Sequence, residues 1–357
     1  MADGPGVDGL TTDASTTHRG PAGVDVAALE PWLLEQLPGW QSPLTATLLA
    51  GGRSNLTYLV RDAAGRCCVL RRPPLSGVLP SAHDVLREHR ILSALQGGIV
   101  PIPTMLAAGD DLELIGAPFY LMSYVEGRVV DDAASAEALP LQARARSGAA
   151  LAEVLGALHT VDVDAVGLGD LGRRDEYIPR QLRRWQGQFE KAATREIHLV
   201  ARVHDLLAER IPPQVGATIV HGDYRLGNVI LDDAGEIRAV LDWELCALGD
   251  PLADLGFMLA CWTVDDRSER AMPGGNRLRG FGTRAELVEG YARASGRDLS
   301  HLDFYVAFAY WRLACILEGV YSRALGGAQA DKDVGIDELR ERAPLLAELA
   351  MEAAARL

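Results

Sequence analysis

The stretch HGDYRLGN at residues 221–228 decides how this sequence is interpreted, because it carries an aspartate and an asparagine five positions apart, Asp223 and Asn228. Short apolar segments flank it on both sides. A second stretch, LDWE at residues 241–244, places Asp242 nineteen positions after Asp223. Phosphoryl transfer requires such a set of groups. One carboxylate orients the attacking hydroxyl and accepts its proton, while a second carboxylate and an amide oxygen hold magnesium against the phosphates.

The two stretches in this order resemble the aminoglycoside phosphotransferase and choline kinase-like family, whose members are distant relatives of protein kinases. The resemblance covers roughly residues 40–330. It implies a protein-kinase-like, two-lobed α+β fold, with a small N-lobe built on an antiparallel sheet and a larger, mainly helical C-lobe. It also implies that ATP and Mg²⁺ are the cofactors, that Asp223 is the catalytic base, and that Asn228 and Asp242 bind the metal. The alternative for Asp223 and Asn228 is a turn with ordinary Asx hydrogen bonds.

A segment of small and polar residues lies between the first two predicted strands, where the resemblance places a phosphate loop. Small residues let backbone N–H groups approach phosphate oxygens closely. The segment does not read GxGxxG, so a plain β-hairpin is the alternative. The resemblance favours nucleotide binding by Gly52, Arg53, Ser54 and Asn55.

The following strand ends in LRRPP at residues 70–74, and its Arg71 occupies the position at which kinases present a phosphate-binding lysine. Arginine keeps the positive charge but offers a planar fork rather than a point charge. Glu88, in the next predicted helix, is the expected partner of Arg71 at the nucleotide site. The alternative is that Arg71 and Arg72 are solvated charges at the end of a strand. The run LRRPP also resembles the branch of the family in which kinase-like domains are fused to acyl-CoA dehydrogenases.

The segment Tyr120–Glu126 resembles the hinge that joins the two lobes of such a fold. There the backbone groups of Ser123, Tyr124 and Val125 are the candidates for bonding the adenine edge. The alternative is a strand that only links the two lobes. The same segment can link the lobes and bind adenine.

Three further residues are expected to have structural roles. Asp254, at the start of a helix, is expected to accept backbone N–H groups of the catalytic loop. His221 is expected to orient that loop through hydrogen bonds. His159 lies on an apolar helix and is expected to be a core histidine whose ring nitrogens are hydrogen-bonded.

The 357 residues are too many for one typical core and fit two packed lobes. Residues 1–22 contain almost no large apolar side chains and are predicted to form a disordered tail. The strand-rich segment 23–122 is assigned to the N-lobe and the helix-rich segment 123–357 to the C-lobe. Predicted elements of the N-lobe are strands at Leu44–Ala50, Leu56–Asp62, Cys67–Arg71 and Phe119–Tyr124, with helices from Asp25 to about Leu37 and at Val85–Leu95.

The net charge of −14 disfavours nonspecific binding of nucleic acid or of anionic membranes. The five cysteines are odd in number and include no CxxC pair, which indicates free thiols in a reducing cytosol. The best candidate for a membrane span, near Val306–Val320, is interrupted by Arg312 and Glu318. We therefore expect a cytoplasmic protein whose partner is a small molecule.

The sequence predicts an ATP- and magnesium-dependent phosphotransferase that uses the alcohol group of a small molecule as acceptor. The acceptor could be a hydroxyacyl-CoA-like compound, an amino sugar or an amino alcohol, and the run LRRPP favours the first. A protein kinase is disfavoured, because Gly222 replaces the arginine that holds an activation-loop phosphate and no Ala-Pro-Glu segment follows Asp242. The alternative function is a nucleotide-binding module without catalysis. The arginine at position 71 suggests it, and the intact Asp223, Asn228 and Asp242 oppose it.

Overall fold

The computed structural model divides into two compact units. The first contains the described residues up to Arg90 together with Thr104–Tyr124, and the second contains Ile91–Pro103 and Val125–Leu357. Residues 91–103, which the sequence-based division assigns to the N-lobe, thus belong to the second unit. The structure describes residues 20–50, 55–75, 84–327 and 335–357.

The first unit is built on a five-stranded sheet in which every neighbouring pair of strands is antiparallel. The order across the sheet is β1-β2-β3-β5-β4, so consecutive strands β1 to β3 form a meander. A tight turn joins β2 to β3, and Gly65 supplies the left-handed backbone there with a φ of +83°. The strands are β1 (Thr45–Ala50), β2 (Leu56–Arg61), β3 (Cys67–Arg72), β4 (Met105–Gly109) and β5 (Phe119–Ser123).

Helix α1 (Val26–Gln36) completes the core of the first unit. The Asp25 carboxylate caps it by accepting the N–H groups of Ala27 and Ala28, which confirms the predicted start. Leu29 and Leu33 are fully buried and belong to one cluster with apolar residues of the sheet. The predicted tail lies largely outside the described residues; of its last residues, Ala22 accepts a hydrogen bond from the Tyr58 hydroxyl at 2.6 Å.

Helix α2 (Val85–Leu95) has the predicted bounds and crosses the division between the units. Its apolar residues recur at helical spacing and are buried, among them Val85, Ile91 and Leu92. Glu88 is also buried and lies on the part of α2 that belongs to the first unit. The short helix α3 (Leu112–Ile115) precedes β5.

The second unit is mainly helical, and two small antiparallel ribbons interrupt its helices. One ribbon pairs β6 (Thr218–Val220) with β9 (Ala247–Gly249), and the other pairs β7 (Val229–Leu231) with β8 (Ile237–Val240). The helices are α4 (Ala133–Glu137), α5 (Leu141–Leu158), α6 (Tyr177–Ala192), α7 (His198–Glu209), α8 (Leu252–Cys261), α9 (Asp266–Ala271), α10 (Arg284–Ser295), α11 (Leu302–Leu325) and α12 (Ile336–Ala354).

Helix α11 is the central helix of the second unit, since it contacts α6, α7, α8 and α12. Most of its residues are buried, including the charged Arg312 and Glu318. Glu318 is satisfied by Arg195, whose guanidinium lies 2.9 Å from the carboxylate. Among the helices of the described residues, none combines the length and the apolar character needed to cross a membrane.

Candidate active site

The predicted catalytic loop, residues 221–228, connects β6 to β7 and ends in a 3₁₀ turn at Leu226–Asn228. We refer to it below as the catalytic loop. Gly222 is required near its start, because its φ is +88° and an added Cβ would lie 2.9 Å from the carbonyl oxygen of Leu245. This tight approach of two backbone segments holds the residue before Asp223 in place. The side chain of Asp223 is 26% exposed and therefore accessible to a substrate.

A buried carboxylate, Asp254, accepts two backbone N–H groups at the start of the catalytic loop. Asp254, at the start of α8, accepts the backbone N–H of His221 at 2.6 Å and that of Gly222 at 2.8 Å. Its third partner is the Nε2 atom of His159 at 3.4 Å. The predicted structural role of Asp254 is thus confirmed, and the loop is fixed by a charge that is itself only 1% exposed.

The pKa values of two neighbouring buried carboxylates, Asp254 and Asp250, are shifted in opposite directions. Burial alone raises the pKa of Asp254, but the hydrogen bonds from His159 and from the Gly222 N–H outweigh it and hold that pKa below its ordinary value. Burial also lowers the pKa of His159, so its ring is neutral at neutral pH. A neutral ring can donate from Nε2 to Asp254 and accept at Nδ1 from the Tyr291 hydroxyl, 2.8 Å away, which confirms His159 as a hydrogen-bonded core histidine. Four residues before Asp254, burial raises the pKa of Asp250.

Asn228 contacts Asp223 directly. Its Nδ2 atom donates to the backbone oxygen of Asp223 and to the carboxylate Oδ2, both at 2.8 Å. The local hydrogen bonds of the turn interpretation therefore exist, and they leave the Asn228 Oδ1 atom as an acceptor. The guanidinium of Arg225 lies 3.6 Å from the other oxygen of the Asp223 carboxylate.

The backbone of Leu241 connects this loop to Asp242. Its N–H donates to the Asn228 carbonyl at 2.8 Å, and its carbonyl oxygen lies 2.8 Å from the Nε2 atom of His221. The predicted orienting role of His221 is confirmed by this contact. Asp242 follows with a φ of +63°, a left-handed conformation that non-glycine residues rarely adopt and that often marks functional sites.

The oxygen donors of Asn228 and Asp242 fit a magnesium ion. An amide oxygen of Asn228 and a carboxylate of Asp242 are the hard oxygen ligands that Mg²⁺ prefers. Within the described part of the chain, no cluster of three or more His, Cys, Asp or Glu side chains is placed to hold a metal. One or two protein ligands are usual for Mg²⁺ that serves a nucleotide, where phosphate oxygens and water supply the other ligands.

The first unit contributes a buried ion pair. The Nε atom of Arg71, on β3, lies 3.0 Å from the Glu88 carboxylate on α2, and the two side chains are 11% and 2% exposed. The predicted pairing is confirmed, and the alternative of solvated charges is wrong for Arg71 and for Arg72, which is 5% exposed. Asn55 joins the pair, since its Nδ2 atom donates to Glu88 at 3.3 Å.

The remaining residues predicted to contact the nucleotide lie in two segments, of which the structure describes only the predicted hinge. Gly52, Arg53 and Ser54 lie outside the described residues. At the predicted hinge, the N–H of Ser123 donates to the carbonyl of Thr104 at 2.8 Å, so this donor serves the sheet. Tyr124 is exposed, and Val125 is partly exposed. The backbone groups of these two residues stay predictions.

Two arginines that sequence reasoning did not single out contact the catalytic loop. Arg225 lies inside the decisive stretch itself, and its distance of two from Asp223 was the available signal. Arg312 donates to the carbonyl of Gly222 from α11, ninety residues further along the chain. Its only signal in the sequence was a cation in an otherwise apolar helix.

The five-stranded sheet with its buried Arg71–Glu88 pair, and the helical unit with its Asp223, Asn228 and Asp242 loop, define a protein-kinase-like phosphotransferase. The sequence profile described as "phosphotransferase enzyme family", the APH family, matches residues 45–305, and the chain belongs to this family.

A solved structure with the same fold is that of a candidate aminoglycoside phosphotransferase from Ralstonia eutropha. It is 32% identical, has a TM-score of 0.78, and the match covers 93% of this chain and 98% of that one. A thermostable mutant of aminoglycoside phosphotransferase APH(4)-Ia, solved in a ternary complex with AMP-PNP and hygromycin B, is 20% identical with a TM-score of 0.56 over 91% of this chain and 98% of that one. This second likeness shows the fold alone.

Two curated relatives are acyl-CoA dehydrogenase family members. The chain is 38% identical to member 10 of Mus musculus over 77% of its own length and 26% of that protein. It is 34% identical to member 11 of Gallus gallus over 100% of its own length and 46% of that protein. The chain thus spans less than half the length of these relatives.

Proposed function

We propose that the protein transfers the γ-phosphoryl group of ATP, with Mg²⁺, to the hydroxyl group of a small molecule. The observation that carries this proposal is a pair of hydrogen bonds: the Asn228 amide binds the Asp223 carboxylate, and the Leu241 N–H binds the Asn228 carbonyl. Together they bring the segment that leads into Asp242 beside Asp223 and Asn228. Family membership supports the reaction class.

The proposed roles follow from the chemistry of each side chain. Asp223 accepts the proton of the acceptor hydroxyl, and the Asn228 amide keeps one of its oxygens oriented while the other faces Arg225. Asn228 and Asp242 hold the magnesium, which neutralises the charge that develops on the phosphates. Arg71, oriented by Glu88, binds phosphate oxygens with its planar fork.

Three acceptor classes are compatible with this chemistry: a hydroxyacyl-CoA-like compound, an amino sugar and an amino alcohol. The first is favoured by the run LRRPP at residues 70–74 and by the kinship with acyl-CoA dehydrogenase family members. We propose a small molecule of this kind as the partner, rather than nucleic acid or membrane, and a cytoplasmic location.

The proposal is tested by measuring ADP release from Mg²⁺-ATP with a panel of hydroxyacyl-CoAs, amino sugars and amino alcohols. At least one class should stimulate ADP release well above the rate with water alone. Calorimetry of ATP binding with and without Mg²⁺ separates the alternative: Asp242→Ala should abolish the metal-dependent part of the affinity. A protein that binds Mg²⁺-ATP but releases no ADP with any acceptor would be the nucleotide-binding module instead.

A further inference from the structure

Two arginines of the second unit lie against the Trp185 ring, and a third lies one turn earlier on the same helix. The guanidinium of Arg184 lies 5.3 Å from the centroid of the Trp185 ring, and that of Arg312 lies 5.7 Å from it. Arg180 precedes Arg184 by four residues, one turn earlier on α6. We call Arg180, Arg184 and Arg312 the arginine cluster. Within the described ranges of the chain, none of its members forms an ion pair with a carboxylate.

The missing carboxylates distinguish this cluster from other arginines nearby. Arg195, just after α6, pairs with the buried Glu318, and Arg174, just before it, pairs with Asp164. Arg312, in contrast, is 4% exposed and donates only to the neutral carbonyl oxygen of Gly222. The buried carboxylate of Asp254 contacts the same residue, Gly222, but through its N–H group rather than through Arg312. A buried cation that no carboxylate contacts directly favours any anion that can reach it.

Polar atoms of the cluster are also left without partners. The Nε atom of Arg312 is buried and makes no hydrogen bond, and the same holds for one terminal nitrogen of Arg180. The aromatic faces of Trp185 and Phe257 shield Arg312 but cannot accept its hydrogen bonds as an anion would. Unsatisfied buried donors are rare in folded proteins and call for a reason.

Folding does not supply that reason. Like charges four residues apart on a helix repel each other, and Arg180 and Arg184 are such a pair. The chain as a whole carries a charge of −14, so three neighbouring arginines without an ion pair run against its composition. Binding of an anionic ligand accounts for both features.

The cluster adjoins the catalytic loop. Arg312 contacts Gly222, the residue directly before Asp223. The charges of Arg312, Arg225 and Asp223 all act on the thiol of Cys261, whose pKa burial raises to about 12. A ligand held by the cluster therefore lies within reach of the proposed catalytic base.

We propose that the arginine cluster and Trp185 bind an anionic group of the acceptor, a phosphate or a carboxylate. This inference rests on the proposed function and narrows its acceptor to an anionic alcohol. Guanidinium groups bind phosphate and carboxylate in a bidentate manner, and the Trp185 ring offers an apolar surface beside them. A hydroxyacyl thioester of coenzyme A has the required chemistry, whereas amino sugars and amino alcohols carry the same charge as the cluster.

The test is calorimetric titration of the protein with coenzyme A, with AMP-PNP and Mg²⁺ at saturating concentration so that the nucleotide site is filled. Arg184 is exposed, so Arg184→Gln should fold normally; it should weaken coenzyme A binding about tenfold, and the pair Arg180→Gln with Arg184→Gln should weaken it further. The matched control is Arg202→Gln, which removes an exposed arginine from α7 and should leave the affinity unchanged. Added salt should weaken binding to the wild type more steeply than to the double variant.

Parallel titrations identify the anion. 3-Hydroxybutyrate tests the carboxylate alone, and kanamycin tests a cationic alcohol. Coenzyme A or 3-hydroxybutyrate binding that depends on Arg184 supports the inference. An affinity of the double variant within twofold of wild type, an equal loss in Arg202→Gln, or kanamycin binding as tight as that of coenzyme A would overturn it.

ADP release separates this inference from the proposed function. If phosphate transfer to amino sugars proceeds at the same rate in the wild type and the Arg184→Gln variant, the function holds and the anion site is refuted. If coenzyme A binding depends on the cluster but no alcohol stimulates ADP release, the anion site holds and the proposed function fails.

Discussion

Replacing Asp254 by asparagine is expected to loosen the catalytic loop while keeping the shape of the side chain. In the wild type, one carboxylate oxygen accepts the His221 N–H at 2.6 Å and the other accepts the Gly222 N–H at 2.8 Å. An asparagine has only one acceptor oxygen, so its NH₂ group must face one of these two donors. At least one hydrogen bond to a charged group is therefore lost, and one backbone N–H is left buried without a partner.

The size of the effect follows from these contacts. A hydrogen bond to a charged group contributes about 1.5–3 kcal/mol, and a buried donor left unsatisfied costs about 1–3 kcal/mol. We expect Asp254→Asn to lower the free energy of unfolding by about 2–4 kcal/mol. We expect the phosphoryl-transfer rate to fall as well, because the loop that carries Asp223 loses its support.

Asp250→Asn is the matched control, since it makes the same change in another buried carboxylate of the same segment. Burial raises the pKa of Asp250, so the folded protein disfavours its charge, whereas the pKa of Asp254 is lowered. One oxygen of Asp250 accepts the Leu252 N–H at 3.1 Å, and the Tyr305 hydroxyl lies 2.7 Å from the other. An asparagine can keep the Leu252 bond with its oxygen while its NH₂ group faces the hydroxyl, which can also accept. Asp250→Asn should therefore cost less than Asp254→Asn.

Urea denaturation of the wild type and both variants at pH 7 measures the difference. A free energy of unfolding for Asp254→Asn within about 1 kcal/mol of the wild type, or a larger loss in Asp250→Asn, would contradict the supporting role of Asp254.

Two further predictions concern the buried polar groups of each unit. Arg71→Ala should weaken ATP binding in calorimetry and destabilise the first unit by about 3–5 kcal/mol, because the buried Glu88 loses the guanidinium that pairs with its charge. Arg71→Lys should keep part of the affinity and Arg72→Lys all of it; an unchanged affinity in Arg71→Ala would contradict the phosphate role. The lowered pKa of His159 means that the unfolded chain binds a proton more readily than the folded one, so stability is fully present above pH 6.5, the ordinary value, and is lost as pH falls below it. The loss should approach about 1.4 kcal/mol per pH unit in urea melts and should be smaller in His159→Gln; a stability equal at pH 7 and 5.5 would contradict the buried neutral ring.

Local signals in the sequence predicted much of the first unit. The spacing of apolar residues gave the bounds of α2, Val85–Leu95, because a helix with one buried face must repeat every three to four residues. Asp25 was found as the cap of α1 for a similar reason, since capping is a contact between near neighbours. The pairing of Arg71 with Glu88 came from the family resemblance and is present in the structure.

Contacts that depend on long-range packing could not be predicted from the sequence. The alternative interpretation of Arg72 as a solvated charge is wrong, because Arg72 is buried and donates to the carbonyl oxygens of Gly23 and Ile115, which no local pattern reveals. From the sequence, Gly222 is informative only because it replaces an arginine that would hold a phosphate. In the structure its left-handed backbone and its close approach to Leu245 require a glycine, and these depend on a segment more than twenty residues away.

The candidate site likewise combines residues that the sequence predicts with contacts that depend on long-range packing. The sequence identified Asp223, Asn228 and Asp242 by their order, but it did not reveal that Asn228 binds the Asp223 carboxylate through its amide group. Arg312 was noted only as an interruption of an apolar run, because its contact with Gly222 depends on how α11 packs beside the catalytic loop. The nucleotide contacts of Gly52, Arg53 and Ser54 stay predictions.

The central claim, that Asp223 is the base of a phosphotransferase, is tested most directly by Asp223→Asn with an acceptor confirmed by ADP release. The substitution keeps the shape of the side chain but removes its charge and its ability to take a proton. ATP affinity should stay within about threefold of wild type, whereas the rate of phosphate transfer should fall at least about 10²-fold, the typical effect of losing an acid–base group. Asp233→Asn, at an exposed carboxylate of the same unit, should change neither quantity. Transfer at the wild-type rate by Asp223→Asn would contradict the assignment and leave the family resemblance as a statement about the fold alone.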